Sequence, residues 1–285
     1  MKTNSIVTGL SILILLLAVI AAGAGVFWQG TGESYPFTTL RGETFPIFGH
    51  GLYRYDTVSY AAQAIAQDAV TLVVGIPILL VGIVLTRKGS RRGSLLLTGA
   101  LGYFLYTYTS LTFLAAYNPL FLVYVALFSL SLFAFILALR GLDPAAIASR
   151  VTAGFPRGAI IVFLSLVAAF LILAWLGRIV PPLLADVPPV GLEAYTTLVI
   201  QAMDLGVIVP ASALTAVLLW QKRPWGYTLA YVLLIKGVMF GIALVAMIIG
   251  MLLAGVGINP VEAVVFSLIP VVGVVLITLA LRNMR

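Results

Sequence analysis

The chain has 285 residues, 62% of them apolar and 9% charged, with a formal net charge of +7. A soluble domain carries roughly 25% charged residues, so this composition excludes a water-soluble globular protein and requires a lipid bilayer around the chain. The lack of cysteine rules out disulfides, thiol catalysis and Fe–S ligation, and the single histidine, His50, rules out HExxH zinc sites and two-histidine haem ligation.

A bilayer-crossing helix needs about 20 apolar residues. Eight runs reach that length, which predicts an all-α, polytopic helical bundle. They are too long and too uniformly apolar for the alternating strands of a membrane barrel. The first run, 6–28, exceeds the h-region of about 7–15 residues that a cleaved signal peptide would have, so it reads as a retained helix. The longest connection, 29–65, follows. Its aromatics Tyr35, Phe37, Phe45, Phe48, Tyr53 and Tyr55 form either a lid over a cavity or, the favoured reading, a belt lying on the headgroups. His50, between two glycines, reads as an ordinary loop residue.

The second run, 66–86, opens on Asp68, with Gln63, Gln67 and Thr71 at four-residue spacing around it. The third, 94–116, is rich in hydroxyls, and Tyr103, Thr107, Ser110 and Tyr117 fall near one face. Asn118-Pro119 turns the chain into the fourth run, 119–139. The fifth, 158–177, precedes a proline-rich connection, PPLLADVPPVG, that reads as stiff and structural around Asp186. The sixth, 196–220, contains Asp204, with Gln201, Ser212 and Thr215 near one stripe. The seventh, 227–254, carries Lys236 and a GxxxG pattern, GVMFG, that reads as packing. The eighth is 262–281. Pro77, Pro210 and Pro270 are expected kinks, able to free carbonyls toward a cavity.

Basic residues set the orientation. With the N-terminus cytoplasmic, Lys2, Arg87, Lys88, Arg91, Arg92, Arg140, Arg150, Arg157, Lys222, Arg223, Arg282 and Arg285 are inside, against Arg41, Arg54 and Arg178 outside. Acidic residues show the reverse bias: Glu33, Glu43, Asp56, Asp186, Glu193 and Glu262 are outside and Asp143 inside. The expectation is a cell-membrane protein with both termini cytoplasmic and 29–65 outside. The positive charge lies in short loops that set topology, so no nucleic-acid partner is expected.

Two stretches repeat. The fourth and eighth runs both begin Asn-Pro and end Ala-Leu-Arg. The second and sixth carry Asp68 and Asp204, then Pro77 and Pro210, then a basic loop and Gly93 or Gly226; ten residues on stand Tyr103 and Lys236. This predicts a tandem 4+4 duplication, residues 1–140 and 141–285, in parallel orientation, with Asp204 as the second copy of Asp68.

At 1.5 Å per residue, Asp204 stands about 27 Å above Lys222, Asp68 about 28 Å above Arg87, and Lys236 about 20 Å above Arg223. In a core of about 30 Å these lie toward the outer side. A lone charge in hydrocarbon costs about 3 kcal/mol or more, so an Asp204–Lys236 ion pair, direct or water-bridged, is predicted beside a polar cavity open outward. A purely structural pin between two helices is the competing reading, and a solvated helix start is the competing reading for Asp68. The ligand- or ion-binding candidates are Asp204, Lys236, Asp68, Gln67, Gln201, Tyr103 and Thr107.

No P-loop, GxSxG or dinucleotide fingerprint is present, and the basic loops are too short for an ATPase or kinase. No catalytic residue, metal or cofactor is expected. The pattern points to a small-molecule or ion transporter, or the membrane subunit of one, whose partners besides lipid are a small polar solute, a proton or ion, or another protein subunit. A scaffold or assembly subunit is the alternative. An intramembrane enzyme acting on lipid, with Asp204 or Asp68 as acid or base, ranks third.

Overall fold

The computed structural model describes residues 2–28 and 30–285, and the side chains of residues 2–4 and of Glu262 lie outside what is described. Lys2 and Glu262, which entered the charge count above, therefore have no described side-chain environment. The chain is 73% helical. Its helices are α1 (Lys2–Phe27), α2 (Val58–Arg87), α3 (Arg91–Leu114), α4 (Phe121–Arg140), a short α5 (Pro144–Ala148), α6 (Arg157–Ala185), α7 (Val199–Trp220), α8 (Pro224–Leu253) and α9 (Pro260–Arg282). Seven of them, all the long helices except α3, are long and apolar enough to cross a bilayer. The molecule has the build of a helical multi-pass membrane protein.

Helix α3 runs alongside the others, from Arg92, whose guanidinium donates to the Met284 carbonyl at one end, to the amide of Ala116 just past its last turn, which donates to Asp56 at the other (2.8 Å). It is less apolar because it is the central helix, packed against α2, α4 and α8. Tyr103, Tyr106 and Thr107 hydrogen-bond to neighbouring helices, whereas Thr98, Thr109 and Thr112 bond back to carbonyls of their own helix. In the first half, α1 packs on α2, α2 on α3, α3 on α4 and α4 back on α1. In the second, α6 packs on α7, α7 on α8, α8 on α9 and α9 back on α6. The halves meet mainly where α8 lies against α2 and α3, and glycines permit the approach. A Cβ on Gly99 of α3 would press into Ile235 and the Val232 carbonyl, and one on Gly250 of α8 would meet the Ala62 carbonyl of α2. Within GVMFG, Gly241 makes such a close contact, with Pro270 of α9, while nothing stands within 4 Å of a Cβ at Gly237.

Two helix boundaries lie well away from the sequence expectation, the start of α2 and the end of α6. Helix α2 begins at Val58, so the outer connection ends at residue 57, not 65. Thr57 caps it, accepting from the Tyr60 amide (3.3 Å), and the first two turns are held by protein packing at Ala61 and Ala64 instead of by lipid. Helix α6 continues through Pro181 and Pro182 to Ala185 and stops at Asp186, which adopts φ 54. The expected stiff loop at PPLLA is thus helical; its missing amide donors fall in the last turns of the helix, where freed carbonyls reach the interface.

The expected kinks at Pro77 and Pro210 take a specific form. In α2 the turn before Pro77 is a π segment, Thr71–Gly75, closed by the Ile76 amide on the Thr71 carbonyl. In α7 the turn before Pro210 is another, Asp204–Ile208, closed by the Val209 amide on the Asp204 carbonyl. Widening the turn accommodates a residue that cannot donate an amide hydrogen bond.

The connection after α1 folds into an antiparallel hairpin, β1 (Tyr35–Thr38) on β2 (Thr44–Ile47), with Tyr35 opposite Ile47 and Thr38 opposite Thr44. Tyr35, Phe37 and Tyr55 are exposed, whereas Leu52 and Tyr53 plunge into the bundle.

Candidate functional site

The polar residues of the interior form two sets, one on each side of α3. The first lies toward α2. Asp68 is 1% exposed, and its Oδ2 accepts from the Tyr53 hydroxyl (2.6 Å). Helix α1 passes so closely that a Cβ on Gly25 would strike the Asp68 carboxylate. Burial, and then the negative charge of Asp68, push the Tyr53 hydroxyl well above its usual range, so it remains a donor. Beside Asp68, Gln67 Nε2 donates to Thr107 Oγ1 (2.7 Å), and about one turn further along, Thr71 Oγ1 shares a hydrogen bond with the Tyr103 hydroxyl (2.8 Å). The four-residue stripe Gln67–Thr71 therefore faces α3. Gln63 does not join it; its amide bonds back to Ser59. Asp68 is not a solvated helix start, because the descending loop covers it.

The second set lies among α3, α6, α7 and α8. Asp204 is buried, Oδ1 accepting from the Tyr106 hydroxyl (2.7 Å) and Oδ2 from the indole Nε1 of Trp175 (2.9 Å). Gln201 is buried one turn earlier. Lys236 is also buried, but the predicted direct ion pair with Asp204 is not made. Its Nζ instead sits over the ring of Tyr106 at 4.0 Å and over that of Phe240 at 4.6 Å. Aromatic faces attract a cation as strongly as many exposed carboxylates do. Tyr106 thus touches both charges, its hydroxyl on the carboxylate and its ring under the ammonium. Among the described residues the one salt bridge is Arg41–Glu43, in the outer loop (3.6 Å).

Of the seven candidates, Asp68, Gln67, Tyr103 and Thr107 belong to the first set, and Asp204, Lys236 and Gln201 to the second. No hydrogen bond joins the sets among the described residues. Tyr117, expected near the face of Tyr103, is exposed and lies against Phe121 (ring centroids 5.7 Å apart). Tyr53, Tyr106, Trp175 and Phe240 were not anticipated. Aromatics in runs of this kind suggest packing or an interfacial belt, and only the helix arrangement turns their polar edges onto the carboxylates.

A small space of about 50 Å³ under the outer loop is lined by Gly25, Trp28, Phe48, His50, Tyr53 and Ile65, and it reaches neither Asp204 nor Lys236. His50 stacks on Phe48, with ring centroids 3.9 Å apart. Above these sets the outer loops latch together. Arg41 Nη2 donates to the carbonyls of Glu193 (2.6 Å) and Tyr195 (3.2 Å), and Thr57 Oγ1 donates to the Glu193 carboxylate. Asp56, fully buried, accepts from the Ala116 amide (2.8 Å) and the Tyr195 hydroxyl (3.0 Å) through Oδ1. Burial outweighs those two donors and pushes the Asp56 carboxyl up to about 6. Burial, then the charge of Asp56, likewise pushes the Tyr195 hydroxyl well up.

These sites can hold positive charge: a carboxylate framed by neutral donors, and an aromatic box already occupied by an ammonium. Among the described residues no cluster of three or more acidic or histidine side chains could ligate a metal. Comparison of the chain with protein-family models, with curated proteins and with solved structures finds no match in any of the three.

Proposed function

We propose that the chain crosses the cell membrane eight times, α3 included, as two duplicated four-helix units with both termini cytoplasmic, and that it is a transporter of a small cationic solute or of protons, or the membrane subunit of one. The carrying observation is that both interior carboxylates, Asp68 and Asp204, are held by neutral tyrosine and indole donors, with no Lys or Arg nitrogen in salt-bridge contact. An ionised carboxylate in hydrocarbon costs about 3 kcal/mol or more. A proton on it, or a cation beside it, removes that cost, so the sites favour cargo of this class.

Duplication is supported by a constant separation of 133 residues between the hairpins α2–α3 and α7–α8. Thr71 and Asp204 open the π segments, and Pro77 and Pro210 follow them. Gly89 (φ 75) and Lys222 (φ 58) take the same left-handed position in the turn, with the next amide donating to Leu85 or Leu218 (3.0 and 2.8 Å). A Cβ on Gly93 would meet the backbone of Leu85 and Thr86; on Gly226, that of Leu218 and Leu219. In this register Asp204 corresponds to Thr71, not to Asp68 as the sequence comparison suggested, and Lys236 corresponds to Tyr103.

Reconstitution into liposomes with an internal pH dye tests the proposal. Proton or cation flux under an imposed potential, lost in Asp204→Asn with folding retained, supports it. Absence of flux and of bound solute, together with a stoichiometric co-purifying protein, would establish the scaffold reading instead. One observation favours that second reading: both oxygens of Asp204 are hydrogen-bonded, and the small outer cavity does not reach it.

A further inference from the structure

At the basic end of the bundle, opposite the outer loops, three segments distant in sequence border an open cleft of about 420 Å³. The first turn of α3 supplies Arg91 and Arg92, the segment after α5 supplies Arg150, and the segment after α9 supplies Met284 and Arg285. Its lining includes no acidic side chain among the described residues. Charge-based topology requires a number of basic residues on one side, not their convergence. Arg87, Lys88, Arg140, Lys222 and Arg223 belong to the same end and do not line the cleft. Four guanidiniums around one space repel one another unless an anion lies among them.

The frame is fixed before any ligand arrives. Val151 and Met284 form a backbone bridge, the Thr152 amide donates to the Asn283 carbonyl (2.9 Å), and the Arg285 amide donates to the Arg150 carbonyl (3.0 Å). Arg92 is tethered by the Met284 carbonyl and Arg150 by that of Arg285 (3.4 Å). Each keeps further N–H groups for a ligand, since a guanidinium carries five donors. The Arg91 side chain makes no hydrogen bond or ion pair among the described residues, while the Gly93 amide of the first helical turn is already capped by Ser90 Oγ (3.1 Å). The volume lies within the range of small-ligand pockets, about 300–1,000 Å³.

We propose that this cleft binds a phosphate-type anion, either the headgroup of an anionic phospholipid or a soluble phosphate compound. Guanidiniums bind such oxygens in pairs with high geometric fidelity. The site stands at the level where spanning helices end, with Arg87 closing α2 and Arg282 closing α9, so a headgroup can enter from the bilayer surface.

The purified full chain in a zwitterionic detergent is titrated with inorganic phosphate while its thermal unfolding is followed, and the same measurement is made in nanodiscs of phosphatidylcholine with and without phosphatidylglycerol. Native mass spectrometry then reads retained lipid. Stabilisation by phosphate but not by phosphatidylglycerol identifies a soluble anion; stabilisation by the lipid with one or two retained molecules identifies the headgroup. The double variant Arg91→Gln/Arg150→Gln should weaken either effect at least twentyfold, at about fivefold per guanidinium. No response of the unaltered chain to either probe, or a response unchanged in the double variant, overturns the proposal. If the double variant does not fold, Arg91→Gln alone, which breaks no described bond, carries the comparison at about fivefold.

Discussion

Replacing Lys236 by methionine distinguishes an ion pair from the arrangement described. If Lys236 and Asp204 formed a buried salt bridge, removing the lysine would strand a carboxylate and cost about 3–5 kcal/mol. Here the carboxylate keeps both of its donors, Tyr106 at 2.7 Å and Trp175 at 2.9 Å, whatever stands at 236. What is lost is the ammonium on two rings, at 4.0 and 4.6 Å, worth about 2 kcal/mol when desolvated, and its attraction for Asp204 beyond contact distance. A methionine sulfur on the same rings returns about 0.3–1.5 kcal/mol, and the cost of burying an ammonium disappears. The expected net change is within about 1 kcal/mol, or roughly 2–4 °C in Tm.

Asp204→Asn should cost more. The Asn oxygen can still accept from Trp175, but its nitrogen can only donate toward Tyr106, so the Tyr106 hydroxyl hydrogen loses its acceptor, at about 1–3 kcal/mol. Intrinsic-tryptophan thermal unfolding of both single variants and the double variant, at one scan rate in one detergent, gives the comparison. The expected order is Asp204→Asn more damaging than Lys236→Met, with a coupling energy below about 1 kcal/mol. Equal losses of several kcal/mol with strong coupling would restore the ion pair and refute the reasoning.

Three further outcomes follow from other parts of the molecule. Tyr53→Phe removes the hydroxyl that Asp68 accepts and should lower stability by about 1–3 kcal/mol, read by thermal unfolding; no change would mean the loop does not hold Asp68. Asp56 binds its proton more tightly folded, near 6, than its ordinary value of 3.8, so its contribution is fully present below about 3.8 and is lost as pH rises through about 6. Across that window it amounts to about 3 kcal/mol, and Asp56→Asn should flatten the stability profile between pH 4 and about 7; an unchanged slope would overturn the assignment. Lys222→Gly relieves a left-handed residue at φ 58, worth about 1–2 kcal/mol, against about 0.5–1 kcal/mol of added chain entropy, so Tm should rise by roughly 1–3 °C; a fall would mean the lysine side chain holds the turn.

The helical membrane architecture was legible because hydropathy at this strength admits few alternatives. The burial of Asp204 and Lys236 was legible for the same reason: a charge within an apolar run must face protein. The partners were not legible. Tyr106 lies one position from Thr107, and the two serve different sides of α3, a distinction set by helix rotation and not by composition. Trp175 stands one turn before Arg178, where an indole suggests an interfacial anchor. Helix α2 began earlier than hydropathy indicated because its first turns, around Gln63 and Gln67, are covered by protein and need not be oily. Under the proposed duplication, the register shifts by three residues from the one read in the sequence, which matched like side chains, carboxylate to carboxylate. The backbone aligns on prolines and π segments, which keep their spacing while the side chains change.

That displaced register bears on how many solutes the chain can carry. The two hairpins share a frame, yet the position that holds Asp204 opposite Lys236 in one holds Thr71 hydrogen-bonded to Tyr103 in the other. A neutral pair cannot balance a cation, so the π site is charged in one half only. The carboxylate of the first half, Asp68, stands about one turn away and answers to Tyr53 from the outer loop. Under the duplication proposed above, the two halves would therefore be unequal as binding sites. Under the transport reading, α7–α8 supplies the π-segment site and α2–α3 a site governed by the loop, so disturbing the loop through Tyr53→Phe should alter only one of them. Binding of a single cation per chain that is abolished in Asp204→Asn and preserved in Tyr53→Phe would fit this division. Two equivalent sites with one affinity would contradict it.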